Sequence, residues 1–251
     1  MRSSVKASTL GAAALLCLAS CAEGEREEGL TLDLRLTTTR SRPTVEADTR
    51  TLVTDEGVRA TLSGALFTLG SVELFPCEET GWRRLLRGLS PVGTAWAHSV
   101  SSPRRLGTPH VLGLGSADGE VTQLGVLRPP PGRYCRARLT FEPADSDAQG
   151  LTAATVGAEP VDMVGRSLHV RGTLSSGPEA WTFRVESRGR ASADVALDGL
   201  TLSEEAPQAA LVFALAWDTW LDGMGPQESP DDVDLLGNVA RSASLQPSAA
   251  P

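Results

Sequence analysis

Leu30, Leu32, Leu34 and Leu36 alternate with Thr31, Asp33, Arg35 and Thr37. A period of two is the signature of a strand with one buried face, because successive side chains leave a strand on opposite sides. Similar runs predict strands at residues 121–127, 134–141, 168–174, 181–185 and 195–200. In the second of these, Cys135, Ala137, Leu139 and Phe141 share one face, so the alternation aims Cys135 into the core with them. Residues 58–75 carry apolar side chains in both alternating sets around Gly64 and Gly70. That pattern predicts either two strands or one long strand bulged at a glycine. Residues 209–216 are apolar throughout, which suits a strand covered on both faces. The turn Ala117-Asp118-Gly119 reads as a hairpin signal ahead of residues 121–127. Residues 78–109, with Trp82, Trp96 and His98 but weak periodicity, read as a long loop insertion. Ser229-Pro230-Asp231-Asp232 is a helix-start pattern, and Val233, Leu236, Val239 and Ala243 then recur at helical spacing.

Together these elements predict a mainly β fold: a two-sheet β-sandwich of Ig-like or jelly-roll type over residues 30–246, with a long loop insertion and a short C-terminal helix. Residues 247–251 read as a disordered tail.

The first 21 residues follow another rule. Arg2 and Lys6 precede an apolar run over residues 7–19 that ends in Leu18-Ala19-Ser20-Cys21. A helix of that length would reach only ~20 Å, short of the ~30 Å hydrocarbon core of a bilayer. The run reads as a secretory signal over residues 1–20, and its last four residues resemble the lipobox of bacterial lipoproteins. That resemblance implies cleavage before Cys21, acylation of its sulfur and amine with chains such as palmitate, and a lasting membrane anchor, since several acyl chains bury far more methylene than the marginal single chain. Residues 21–29, rich in Glu, then form an acidic tether. Ala22 in the second position, by analogy with enteric sorting, directs the anchor to the outer membrane, facing the periplasm or the cell surface.

Charge narrows the partners. The 251-residue chain has a formal charge of −8, and removing residues 1–20 takes Arg2 and Lys6 but no acid, moving it to −10. Nucleic acid is excluded as a partner on this reading, because binding phosphate needs clustered cations. Lys6 is the only lysine, so Schiff-base and Ser-Lys chemistry are lost with the signal. Of the four cysteines, Cys17 leaves with the signal and Cys21 takes lipid. Cys77 and Cys135 are then expected to pair in an oxidising compartment.

Catalytic signatures are not found. Gly113-Leu114-Gly115-Ser116-Ala117-Asp118-Gly119 has its glycines out of register for a dinucleotide loop and precedes a strand. No Gly-x-Ser-x-Gly elbow is present. The candidate ligands are His98, His110 and His169, two of which bracket a Pro-rich stretch, with Met163 or Met224 as soft sulfur donors for copper. His169 alternates with Leu168 and Val170 onto what reads as a polar face. Asp145 and Asp147 offer oxygens on a loop without EF-hand spacing. Trp217-Asp218-Thr219-Trp220-Leu221-Asp222 sets aromatics beside carboxylates, and reads as a strand end followed by a capped turn.

The stretches Ala97-His98-Ser99, Pro129-Pro130-Pro131-Gly132-Arg133-Tyr134-Cys135 and Pro143-Ala144-Asp145-Ser146-Asp147-Ala148 resemble uncharacterised bacterial envelope lipoproteins. The Gly132–Tyr134 lead into a strand and Asp162-Met163 ahead of another are similar to MbnP-like periplasmic copper-binding proteins. Here Val164-Gly165-Arg166 follows Met163 where that family carries a Trp-rich stretch, and no His lies beyond His169. The expectation is a membrane-anchored extracytoplasmic lipoprotein, not an enzyme and without an obligatory cofactor. It binds an envelope protein or small ligand through surface loops; the alternative is copper or other metal binding by the loop histidines.

Overall fold

A computed structural model describes residues 30–43, 50–77, 101–114, 117–176 and 179–246. The signal, the tether, the 247–251 tail and residues 78–100 of the expected insertion lie outside the described residues. In chain order the elements are β1 (Thr31–Thr39), β2 (Thr51–Val53), β3 (Arg59–Pro76), β4 (Arg105–Leu106), β5 (His110–Gly113), β6 (Val121–Leu127) and β7 (Gly132–Phe141). A short ribbon of β8 (Thr155–Val156) and β9 (Glu159–Pro160) leads to β10 (Leu168–Ser176), β11 (Glu179–Ser187), β12 (Ala191–Leu202) and β13 (Gln208–Ala216). Helix α1 (Leu235–Arg241) and β14 (Ala243–Gln246) close the fold.

The molecule is mainly β and its two sheets pack as a sandwich. Among the described residues one sheet has the order β14-β13-β1-β6, with β1 and β13 parallel. The other is organised along β3. Leu66 pairs with both Gly113 and His169, and Leu69 with both His110 and Phe141. β10 and β7 therefore follow one another along one side of β3, with β5 on the opposite side. β2 and β4 flank β3 on the β5 side, and β11 and β12 extend the sheet beyond β10 and β7.

The mixed apolar pattern of residues 58–75 is explained by bulges. β3 runs unbroken for 18 residues, but its register skips Ser63 against β10 and Gly70 against β7. An extra residue in one strand reverses which parity faces inward. The core accordingly takes Ala60 and Leu62, then Ala65, Phe67 and Leu69, then Val72 and Leu74. One long strand thus stays buried on one face although its sequence changes phase twice.

A third bulge corrects an expectation. Arg136 pairs with Phe75 and Tyr134 with Pro76, so Cys135 is the unpaired extra residue of β7. The phase flips there: Tyr134 is buried and Cys135 is exposed, the reverse of the clean alternation read from the sequence. The Tyr134 hydroxyl donates to the carbonyl of Pro130 at 2.8 Å, which satisfies its buried polar tip.

Two further readings are corrected. The 117–119 turn does not close a hairpin, because β5 and β6 belong to different sheets. At the C-terminus the Ser229 capping box encloses only a 3-10 turn, Pro230–Asp232. Helix α1 starts later, capped by Asp234 Oδ1, which accepts from the amide of Gly237 at 3.0 Å. Ala243 lies beyond the helix in β14, which adds an edge strand beside β13.

The main core gathers Leu32, Leu34 and Leu36 from β1 against Phe67, Phe141, Phe213, Trp217 and Trp220. Each large side chain fully removed from water contributes ~1.5–3 kcal/mol. A smaller cluster of Leu66, Val111, Ala154, Val156 and Met163 packs apart from it.

Candidate functional site

Paired residues in neighbouring strands project to the same face, and this places the candidate ligands. His169 pairs with Leu66, a member of the smaller cluster, whereas His110 pairs with Leu69, a member of the main core. No register shift intervenes between Leu66 and Leu69, so their parity differs and the two imidazoles leave the sheet on opposite faces. The structure does not bring His110 and His169 together. His98 lies outside the described residues, as does Cys21. Met163 sits fully buried in the smaller cluster, on the His169 side of the sheet, and Met224 in the main core.

His169 is buried, not on a polar surface, because residues 142–165 cover that face of β10. Its Nδ1 lies 3.2 Å from Glu186 Oε1 across the β10–β11 pair, while Nε2 has no hydrogen-bond partner among the described residues. Burial pushes the imidazole pKa below its usual value, and the nearby Arg171 guanidinium acts in the same direction. Glu186 also holds Arg166 Nε at 2.9 Å. His110 is tied locally, with Nδ1 2.8 Å from the carbonyl of Thr108. No three His, Cys, Asp or Glu groups converge as a metal centre among the described residues.

Cys77 and Cys135 are bridged, with Cα atoms 4.7 Å apart at a sequence separation of 58. The bridge ties the end of β3 to the bulge of β7, where the amide of Cys77 also donates to the carbonyl of Arg133 at 2.9 Å.

The Trp217-Asp218 motif works as a clamp. Asp218 is buried, and its carboxylate accepts from the amides of Ser41 and Arg42 at 2.9 and 2.8 Å and from the Ser41 hydroxyl. Asp222 takes the Arg42 guanidinium through both oxygens. Trp217 donates its indole N–H to Asp118 at 2.9 Å and lies under Arg40 and Arg50. These contacts pin the segment after β1 to the strand end at β13.

The best-formed concavity among the described residues is one the sequence reading missed. A cleft of about 250 Å³ opens between β1 and β6 of one sheet and β5 of the other. Leu36, Leu66, Phe67 and Val111 line it together with Thr37, Thr38, Thr122 and Thr155. Glu120 stands at the rim, and its backbone carbonyl accepts from the Thr37 hydroxyl at 2.7 Å. No Arg or His lines the cleft, so its only formal charge is negative. Gly150, at φ +82°, passes so close to Val111 that a Cβ there would meet the Val111 carbonyl at 2.4 Å. Only a glycine lets that wall close. The one sequence signal for this site is Thr37-Thr38, buried hydroxyls where the leucine alternation of β1 stops.

The arrangement offers apolar contact and neutral hydrogen bonding, with one acidic residue at its margin, Glu120, whose carboxylate accepts from the amide of Ala117 at 3.3 Å. That chemistry suits a small neutral or cationic molecule with an apolar portion. Comparison of the chain with protein-family models, with curated proteins and with solved structures finds no match in any of the three.

Proposed function

We propose that the protein is a membrane-anchored extracytoplasmic lipoprotein that acts as a non-enzymatic binding module. The observation that carries this reading is the Cys77–Cys135 bridge in a chain whose start ends in Leu18-Ala19-Ser20-Cys21. Bridges of this kind persist outside the reducing cytosol, and the lipobox supplies a route to that compartment. Cys21 carries the acyl chains, residues 21–29 space the domain from the bilayer, and the outer membrane holds the anchor. On this reading the small-ligand site is the cleft beside Glu120. An envelope protein is the other class of partner.

Metabolic labelling with a radioactive or alkynyl palmitate tests the anchor. Label is expected on the wild-type chain in the membrane fraction and absent from Cys21→Ser. Unlabelled wild type recovered in the soluble cytosol would overturn the proposal. Binding is tested on the same chain by titrating a neutral and a cationic amphiphile against Thr122→Trp, which fills the cleft. Equal binding by variant and wild type removes the cleft as the site.

The second reading, an envelope metal-binding protein, draws on one feature: His169 has Nδ1 on a carboxylate and its other nitrogen buried and unpartnered, which is how a ligating imidazole is commonly oriented. Copper(I) would call on His169 with Met163 and not on His110, which leaves the opposite face. Equilibrium dialysis with Cu(I) is expected to show uptake lost in His169→Ala and retained in His110→Ala. Identical uptake by both variants and wild type eliminates this reading.

A further inference from the structure

Every open sheet edge among the described residues is blunted except one. β14 is only four residues long. β6 is broken by a register shift beside Gly125 and runs out into Pro129-Pro130-Pro131. β12 carries an irregularity at residues 197–199 and lies against α1 and β14. β11 differs: its nine residues pair with β10 without a single register shift, and no strand covers the other side. It contains no Pro and no bulge, two of the devices that keep an edge from recruiting another strand, and its charges, Glu179, Arg184 and Glu186, are of both signs.

Its face is also incompletely covered. Trp181 and Phe183 pair with Leu174 and Gly172 of β10, and Val185 with Val170. Val185 is buried and Phe183 half-buried, but Trp181 remains 41% exposed. Trp181 and Phe183 thus form an apolar stripe along β11, and the Pro230–Asp232 turn is a further neighbour of the strand.

We propose that β11 pairs antiparallel with β11 of a second copy of this chain, about a two-fold axis at Phe183, to join the eight-stranded sheets of two molecules. The occupant follows from self-complementarity. Centring on Phe183 uses all nine residues and sets Trp181 opposite Val185 of the other copy, diagonal to its Phe183. On the other face Thr182 meets Arg184 and Ala180 meets Glu186. No like charges stand directly opposite. Shifting the axis one residue to Arg184 would oppose Arg184 to itself, and like charges directly across a pair are destabilising. Aromatic and β-branched pairs across strands are among the more favourable, so the exposed Trp181 is what the dimer would cover.

This inference is independent of the proposed ligand and of the anchor. Thr182 and Arg184 are exposed and outward-facing, so cysteines there test the register with little effect on the core. In the full chain, in whichever fraction it is recovered, oxidation of the Thr182→Cys/Arg184→Cys double variant is expected to give a reducible band at twice the chain mass. Thr182→Cys alone is expected to give far less, because residue 182 faces residue 184 of the other copy. Adding Trp181→Glu to the double variant is expected to abolish the band, while non-reducing peptide mapping still finds the Cys77–Cys135 bridge, showing that the domain has folded. Monomer alone in the double variant, or a crosslink to a different protein in place of the dimer, would overturn the proposal.

Discussion

An imidazole buried between two guanidinium groups is expected to respond to acid. His169 faces Glu186 on β11, with Arg166 and Arg171 nearby. Burial lowers its pKa in the folded state, so as the pH falls the unfolded chain takes up a proton before the native one does. The contribution to stability is then complete above about pH 6.5 and declines below it, with a slope of at most about 1.4 kcal/mol per pH unit for one proton. Urea midpoints measured from about pH 7.5 down to about pH 5 are expected to fall more steeply for wild type than for His169→Gln; parallel profiles would exclude His169 as the titrating group. Asp218 belongs at the same scale. Truncation to Ala leaves the amides of Ser41 and Arg42 without their acceptor, which is expected to cost about 2–3 kcal/mol. Denaturant unfolding would show this as a lower midpoint with an unchanged slope. A loss below about 0.5 kcal/mol would mean that solvent replaces the carboxylate. The sequence marked Trp217 and Asp218 as a pair of note, but their partners lie 99 and 177 residues away along the chain, respectively. No local pattern contains that information.

At the scale of elements, alternation located most strands and missed where their phase turns over. β1, β10 and β13 lie where the apolar rhythm puts them because none of their own residues is skipped in pairing, and β6 does so although Leu124 is an extra residue against β1. β3 and β7 keep their buried faces by inserting Ser63, Gly70 and Cys135 as extra residues. The mixed pattern of residues 58–75 announced a bulge at a glycine and Gly70 is one, but Ser63 and Cys135 carry no such signal, because a bulge is a relation between two strands and the partner is not written locally. The Cys135 bulge places the bridge on the surface, which leaves its stabilising effect intact: closing a loop of this length restricts the unfolded chain. The double variant Cys77→Ser/Cys135→Ser is expected to lose about 4 kcal/mol, read as a lower denaturant midpoint, and wild type in reducing agent should match it. Equal stability with and without reductant would show the bridge to be energetically silent. The capping signal at Ser229 was genuine but governs a single 3-10 turn, since Val233 leaves the helical conformation and Asp234 caps α1 afresh.

Across the whole molecule the cleft forms where neither sheet closes over the other. Leu36 and Thr37 come from β1, Phe67 from β3, Val111 from β5 and Thr122 from β6, four strands drawn from two sheets. Its negative rim agrees in sign with the acidic chain, so an anionic ligand is disfavoured on two counts. Replacing Glu120 by Gln is expected to weaken binding of a cationic amphiphile several-fold while leaving a neutral one within a factor of about two. Comparable loss for both would place the charge outside the recognition. The proposed anchor would act at this scale as well: acyl chains on Cys21 would confine the domain to a surface, raise its local concentration and favour pairing through an edge such as β11.

The order of residues alone determined the class of fold, the position of most strands and the pairing of Cys77 with Cys135, and it supplies the Leu18–Cys21 stretch on whose resemblance to a lipobox the anchoring proposal stands, because each is read from short-range periodicity, composition or a contiguous motif. Tertiary structure decided the faces. It separated His110 from His169, buried Tyr134 in place of Cys135, and assembled a cleft from strands far apart in the chain. Which side a side chain takes depends on register between strands, and register is settled only when distant segments meet.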